Sequence, residues 1–179
     1  MDYLHKYRIA YQGLTDGLHE FDFEINDPFF ENLEYSEIKK GNLQVHVVLN
    51  KKPQLLEFSI QIIGTVETTC DRCLENFNYP IDFTGKLFVK FSASEEDLDD
   101  DVICLSPEEN EINIAHYLYE SISLSIPLKR VHPLDKKGRP LCNPEMIKKL
   151  KELELNSPAE KDVDPRWDEL KKLMENNNN

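Results

Sequence analysis

The sequence predicts an α+β fold, with a mainly antiparallel, curved sheet, one long packed helix and small C-terminal helices. Three observations carry this prediction. Apolar and polar residues alternate along much of the first half of the chain, which is typical of half-buried strands. One longer segment then has apolar residues at helical spacing, and two later segments each open with a capping residue followed by proline, as helices often do.

The strand predictions come from a period of two in the hydrophobic pattern. The alternating stretches are residues 21–25, 43–49, 56–62 and 77–91. A short polar turn at 50–53 separates the second stretch from the third, so these two are expected to form an antiparallel hairpin. Gly85 interrupts the last stretch and is expected to mark a bulge or bend. A further short strand is predicted at 102–105, and it includes Cys104.

The long helix is predicted over residues 113–126, with Asn113 as its cap and Pro127 limiting its end. Two short helices are predicted to begin at Asn143-Pro144 and at Asp164-Pro165. The resulting organisation is a single α+β domain over 1–153, a linker over 154–163, a C-terminal helix over 164–175 and a disordered tail over 176–179.

Composition places the chain among soluble proteins. Of its 179 residues, 40% are hydrophobic and 31% are charged, and no apolar run is long enough to span a membrane. The first residues lack the basic and apolar regions of a signal peptide, so a cytoplasmic location is predicted. In a reducing compartment, the four cysteines are expected to be thiols or metal ligands rather than disulfides.

The net charge of −13 is unevenly distributed. Residues 9–38 contain eight acidic residues and no Lys or Arg, and residues 95–101 contain six acidic residues. Solvated loops or faces explain such runs most simply. By contrast, residues 129–139 contain five basic residues and one Asp. This basic segment includes His132 and ends shortly before Cys142, so it lies beside two of the candidate metal ligands described next.

The candidate site is a Cys-x-x-Cys turn, formed by Cys70 and Cys73. With His132 and Cys142 these thiols would complete a Cys3His set, which is a closed, structural type of zinc site. One alternative is a metal-free turn in which Cys142 is only a packing residue, and another has Cys104 in place of His132. A thioredoxin-like redox role is disfavoured, because a strand rather than a helix is predicted after the turn.

Signatures of enzymes are missing from the sequence. It has no phosphate-binding loop, no Gly-x-Ser-x-Gly and no His-Glu-x-x-His, and it contains only six glycines. We therefore expect neither catalysis nor a small-molecule substrate. Trp167, in the predicted C-terminal helix, is interpreted as an anchor that docks this helix on its own sheet or on a partner.

Several motifs together resemble those of the YceD family, the large ribosomal RNA subunit accumulation proteins. They are Thr69-Cys70-Asp71-Arg72-Cys73-Leu74-Glu75 between long strands, Leu124-Ser125-Ile126-Pro127-Leu128, Val131-His132-Pro133 with the late Cys142, and the terminal Asp164-Pro165-Arg166-Trp167-Asp168-Glu169-Leu170. The resemblance covers roughly residues 40 to 175. Many members carry a second Cys-x-x-Cys after the proline, whereas this chain has only Cys142 there.

The resemblance implies a bacterial, cytoplasmic and non-enzymatic protein that acts in ribosome biogenesis and supports accumulation or processing of large-subunit ribosomal RNA. The alternative is an interaction module that binds a basic ribosomal protein or a processing enzyme, which would suit the acidic composition. The expected contacts with RNA or partner are Arg72, Lys129, Arg130, Lys136, Lys137, Arg139 and Trp167.

Overall fold

The computed structural model describes residues 3–91, 102–106 and 108–155. The chain divides into two compact units, Met1–Cys142 and Asn143–Asn179, which are described separately. In chain order, the first unit contains a 3-10 helix (Tyr3–Tyr7), β1 (Arg8–Ile9), β2 (Gly17–Ile25), α1 (Asp27–Glu31), β3 (Gly41–Lys52), β4 (Leu55–Thr69), β5 (Asn76–Phe91), β6 (Val102–Leu105), β7 (Ile112–Asn113) and α2 (Ala115–Leu124).

The main sheet has five strands in the order β2-β3-β4-β5-β6. The first four are antiparallel neighbours, and β6 pairs with β5 in parallel. The predicted α+β class and mainly antiparallel sheet are therefore confirmed, and so is the predicted hairpin, whose strands close at Lys52 opposite Leu55. The sheet is open, and its curvature stays a prediction.

One face of the sheet forms the hydrophobic core. Val45 and Val47 of β3 and Phe58 and Ile60 of β4 are at most 1% exposed, while residues between them are more accessible. This alternation follows directly from the period of two, because successive side chains of a strand point to opposite faces.

The N-terminal segment contributes much more to this core than its sequence pattern indicates. Tyr7, Phe29 and Phe30 are fully buried, and the Tyr7 ring packs edge-on against Phe29. The Tyr7 hydroxyl donates a hydrogen bond to the Glu24 carbonyl at 2.9 Å. Strand β1 also pairs with β7, just before α2, and so joins the start of the chain to a distant segment.

The prediction of one long helix over 113–126 was wrong in length, because α2 has only 10 residues. At its start, β7 uses Asn113 as a strand residue, and the Asn113 side chain then accepts the Ala115 N–H at 3.0 Å. At its end, the Ser125 hydroxyl donates to the Ser121 carbonyl at 2.7 Å, and the chain turns toward Pro127. The N-cap is therefore Ile114 rather than the predicted Asn113, whose side chain accepts one N–H of the first turn from the position before the cap.

Gly85 does not produce the expected bulge or bend. Pairing of β5 with β4 continues without interruption through Gly85, which lies opposite Ile60. A Cβ atom at Gly85 would lie 2.4 Å from Cζ of Phe83. The glycine is therefore explained by an aromatic ring that covers the backbone, which is another common reason for glycine within a strand.

The described part of the second unit is helix α3 (Pro144–Leu155). The Asn143 side chain accepts the Glu145 N–H at 2.9 Å, so the predicted cap and proline start are confirmed. The predicted helix over 164–175, the tail over 176–179 and the predicted linker beyond Leu155 lie outside the described residues. No helix in the described ranges has the length and hydropathy that crossing a membrane requires.

Candidate metal centre

The Cys-x-x-Cys turn connects β4 to β5, and backbone hydrogen bonds close it. The Cys70 N–H donates to the Glu75 carbonyl at 2.9 Å, and the Leu74 N–H donates to the Cys70 carbonyl at 2.9 Å. Leu74 has a φ of 61°, in the left-handed region. For a residue other than glycine this conformation costs about 1–2 kcal/mol, so the surrounding hydrogen bonds must hold it.

A second segment is attached to this turn by a reciprocal pair of hydrogen bonds. The Asp71 N–H donates to the Arg130 carbonyl at 2.7 Å, and the Arg130 N–H donates to Oδ2 of Asp71 at 2.6 Å. The segment then folds back on itself, because Leu134 bridges to Pro140 and the Leu141 N–H donates to the Pro133 carbonyl at 3.2 Å. This return brings the end of the segment back toward its start.

The result is a cluster of four possible ligands from two distant parts of the chain. Sγ of Cys70 lies 3.8 Å from Sγ of Cys142, and Sγ of Cys73 lies 3.4 Å from Nδ1 of His132. All four ligand atoms lie within 4.8 Å of one another, and the three cysteines are buried. Cys104 lies on β6 and is not part of this cluster, so the structure does not favour the alternative that uses it.

These distances fit a tetrahedral zinc ion. With the usual Zn–S and Zn–N bond lengths, tetrahedral geometry places two sulfurs about 3.8 Å apart and a sulfur and a nitrogen about 3.6 Å apart. The Cys70–Cys142 and Cys73–His132 distances of 3.8 and 3.4 Å are close to these values. Four protein ligands complete the coordination shell, so such a site would leave no position for a substrate.

The electrostatics of the cluster also favour a thiolate. Burial raises the pKa of the Cys70 thiol, but hydrogen bonds from the backbone of Cys73, Arg72 and His132, and from the His132 side chain, outweigh it and lower the pKa to about 6. Burial raises the pKa of Cys142, and the hydrogen bond and charge of Cys70 raise it further. A Cys70 thiolate beside the protonated Cys142 thiol is a starting point for metal binding, which releases bound protons.

An aromatic ring supports the imidazole. The ring centroids of Phe77 and His132 are 4.6 Å apart, with an angle of 32° between the planes. Phe77 belongs to β5, directly after the cysteine turn, so the sheet itself supports His132. From the sequence, Phe77 was predicted only to lie in a strand. Its position in an alternating run shortly after the cysteine turn was the feature that could have indicated a contact with the site.

The predicted contact residues lie on and beside this centre, and most are exposed. Arg72, Lys129, Lys136 and Lys137 are exposed, and Trp167 lies outside the described residues. Two of the cations already have acidic partners. Arg130 pairs with Asp71 at 3.6 Å, and Arg139 pairs with Asp135 at 2.9 Å.

Asp135 organises the basic turn, a role that the sequence analysis did not assign. Its Oδ1 accepts the N–H groups of Lys137 at 2.8 Å and Arg139 at 2.9 Å. The backbone hydrogen bond from Arg139 lowers the pKa of Asp135; burial opposes this shift, and the Arg139 side chain and the Lys137 backbone add to it. Gly138, with a φ of 76°, completes the turn. The Asp-x-x-Gly spacing is a signal that could have predicted it.

Comparison with known protein families gives a match over more than half of the chain. Residues 58–174 match the family described as "Large ribosomal RNA subunit accumulation protein YceD". This range covers more than half of the chain and contains all four residues of the cluster. No curated protein and no solved structure matches the chain.

Proposed function

Because this chain belongs to the YceD family, we propose that it is a non-enzymatic, cytoplasmic accessory factor that supports accumulation or processing of large-subunit ribosomal RNA. The observation that carries the proposal is the cluster of Cys70, Cys73, His132 and Cys142, whose ligand atoms lie within 4.8 Å of one another. It joins the end of the main sheet to the basic segment 129–139. The site is therefore assigned a structural role, and the basic segment is proposed as the surface that contacts the partner.

We assign one structural zinc ion to this cluster. Bound there, zinc would supply a cross-link between the β4–β5 turn and the returning segment that ends at Cys142. The chain itself contributes the buried position, the backbone hydrogen bonds that hold both segments and the ring of Phe77 beside His132.

In this proposal the basic segment contacts RNA phosphates. Lys129, Lys136 and Lys137 are exposed, and the turn at Asp135 fixes the backbone that carries the last two. The net charge of −13 repels nucleic acid over the rest of the surface, so RNA contact would be confined to this segment. Large-subunit rRNA is the proposed partner.

Metal analysis tests the zinc assignment. The protein purified under reducing conditions is expected to contain about one zinc per chain. Cys73→Ser should lose it, whereas Cys104→Ser is the matched control and should keep it. A wild-type protein that takes up no zinc after purification and reconstitution would contradict the assignment.

Binding to large-subunit rRNA tests whether the basic segment is the contact surface. Affinity should fall steeply with salt, since each phosphate contact releases counterions, and losing two contacts should reduce the slope of log K against log salt by about 2. Lys136→Glu with Lys137→Glu should weaken binding, while Lys90→Glu with Lys148→Glu, also exposed lysines, should not. A deletion strain with normal large-subunit rRNA would contradict the function itself.

A further inference from the structure

A groove of about 940 Å³ lies beside the cysteine turn, in the first unit. Its walls come from the segment that includes Tyr35 and Glu37, from the end of α2 and the following loop, and from the adjacent ends of β4 and β5. All of these residues are described, and the metal centre does not use this space.

The rim of the groove presents leucines to solvent. Leu124 is 85% exposed, and Leu128 is fully exposed. Their loop is held by backbone hydrogen bonds, since the Ser125 N–H donates to the Ser121 carbonyl and the Ile126 N–H donates to the Ser123 carbonyl. Large apolar side chains that stay exposed on an ordered loop beside a groove indicate a surface that another protein covers.

The charges in the groove favour a cationic occupant. The lining carboxylates outnumber the lining cations by three to two, and one of these cations, Arg130, already pairs with Asp71 at 3.6 Å. By contrast, the carboxylate of Glu37 is exposed and has no ion-pair partner among the described residues. A lysine or arginine side chain could pair with Glu37 without displacing an existing contact.

Two more carboxylates line the groove with only exposed partners. Glu67 pairs with Lys40 at 3.3 Å, and Glu120 pairs with His116 at 2.9 Å. Exposed pairs of this kind contribute little, so an incoming cation could replace them at small cost. Three carboxylates also make this groove a poor site for RNA phosphates.

We infer that this groove binds a peptide segment of a basic protein, in which apolar side chains contact Leu124 and Leu128 and a lysine or arginine pairs with Glu37. Apolar anchors then supply most of the affinity, and the carboxylates supply the preference for a basic sequence. The choice of large-subunit ribosomal proteins as the source of this segment rests on the proposed function, whereas the binding chemistry does not.

Direct binding of peptides tests the inference. The probes are fluorescent synthetic 15-residue peptides that tile the large-subunit ribosomal proteins, titrated with the full-length chain. At least one basic, apolar-containing peptide should bind, and the double variant Leu124→Ser, Leu128→Ser should weaken it by about tenfold or more. Glu37→Lys should weaken it too, with Glu37→Gln giving a smaller loss.

A control at another exposed leucine distinguishes binding in the groove from nonspecific hydrophobic binding. Leu18 is 72% exposed on strand β2, and it does not line the groove. Leu18→Ser should leave peptide binding unchanged. The inference is overturned if no peptide binds, if the groove variants bind as well as the wild type, or if Leu18→Ser weakens binding equally.

The two proposals fail in different measurements. Peptide binding tests whether the groove binds a basic segment. The level of large-subunit rRNA in a deletion strain tests the proposed function. All three groove variants change exposed side chains, so thermal melting and zinc content should match the wild type. A loss of peptide binding with unchanged melting then supports a groove contact, whereas a matching loss of fold contradicts it.

Discussion

Strand β4 has a connection at each of its ends, and the two connections are built differently. Toward β3 the strands close tightly, with Lys52 opposite Leu55 and two residues between them. Toward β5 the last pair is Thr69 with Asn76, and the six residues between them contain the Cys-x-x-Cys turn. The first connection only reverses the chain, whereas the second adds a turn long enough to hold two thiols.

The comparison shows that the two ends of the sheet have different sources of order. Near the short turn, Leu49, Leu56 and Phe58 are fully buried, so hydrophobic packing holds that end. Near the long turn, Val66 still belongs to the core, but within the turn itself the buried side chains are Cys70 and Cys73, and they meet another segment rather than an apolar layer. The packed sheet should therefore be independent of metal, and the cysteine end should depend on it.

Breaking the hydrophobic packing of β4 should have the largest effect. Ile60 is 1% exposed and Ile63, on the same strand, is 50% exposed. Ile60→Ala should lower the free energy of unfolding by about 2–5 kcal/mol, because it removes transfer energy and leaves a cavity. Ile63→Ala is the matched control and should cost much less. Chemical denaturation measures both, and equal losses would show that burial on this face does not dominate stability.

Breaking the cysteine end should have a strong but local effect. Cys73→Ser removes one of the four residues proposed to hold zinc, and the segment that ends at Cys142 would then lose the proposed cross-link. Hydrogen exchange should become faster in residues 70–75 and 130–142, while β3 and β4 stay protected. Global loss of protection would instead show that the metal centre holds the whole first unit.

The sequence predicted the strands of the main sheet because alternation is a local signal that burial of one face imposes. It predicted which four residues come together because Cys-x-x-Cys is also local, and few other residues could complete the cluster. It did not predict the burial of Tyr7, Phe29 and Phe30, since the five-residue 3-10 helix and the five-residue α1 that contain them are too short for a period.

Other features depend on contacts between distant segments and leave no local pattern. The parallel pairing of β6 with β5 is one example, because no residue of Val102–Leu105 specifies its partner. The groove beside Leu124 is another, since its walls come from several separate segments. The helix of residues 113–126 was predicted too long at its start because Asn113 pairs with Arg8 of β1.

A glycine in the middle of the sheet should show an intermediate effect. A Cβ at Gly85 would lie 2.4 Å from the Phe83 ring, whereas Gly13 has nothing within 4 Å. Gly85→Ala should therefore destabilise the fold by about 1–3 kcal/mol as the ring is displaced, and Gly13→Ala is the control. Thermal melting measures both, and a neutral Gly85→Ala would mean that Phe83 moves aside freely.

The smallest predicted effect concerns the pH dependence of stability. Its sign should differ between the main sheet and the cysteine turn. On the exposed face of the sheet, Nδ1 of His46 lies 2.8 Å from Oδ1 of Asp22. The hydrogen bond to Asp22 raises the pKa of His46 above its ordinary value; burial opposes this shift, and the charges of Asp22 and Glu20 add to it. A raised pKa in the folded state means that this pair stabilises the fold fully below the unfolded pKa of histidine and loses that contribution as pH rises through the folded pKa.

The cysteine end should respond in the opposite direction, because its thiols and imidazole must lose protons to bind zinc and acid releases the ion. Asp22→Asn should lower the pKa of His46, as measured by NMR titration, and should slightly reduce stability at acidic pH while leaving zinc content unchanged. If Asp22→Asn leaves the His46 pKa where it was, the pair does not form in solution. In that case His46 contributes no pH dependence to the stability of the sheet. The contrast with acid release of zinc from the proposed site would then no longer hold.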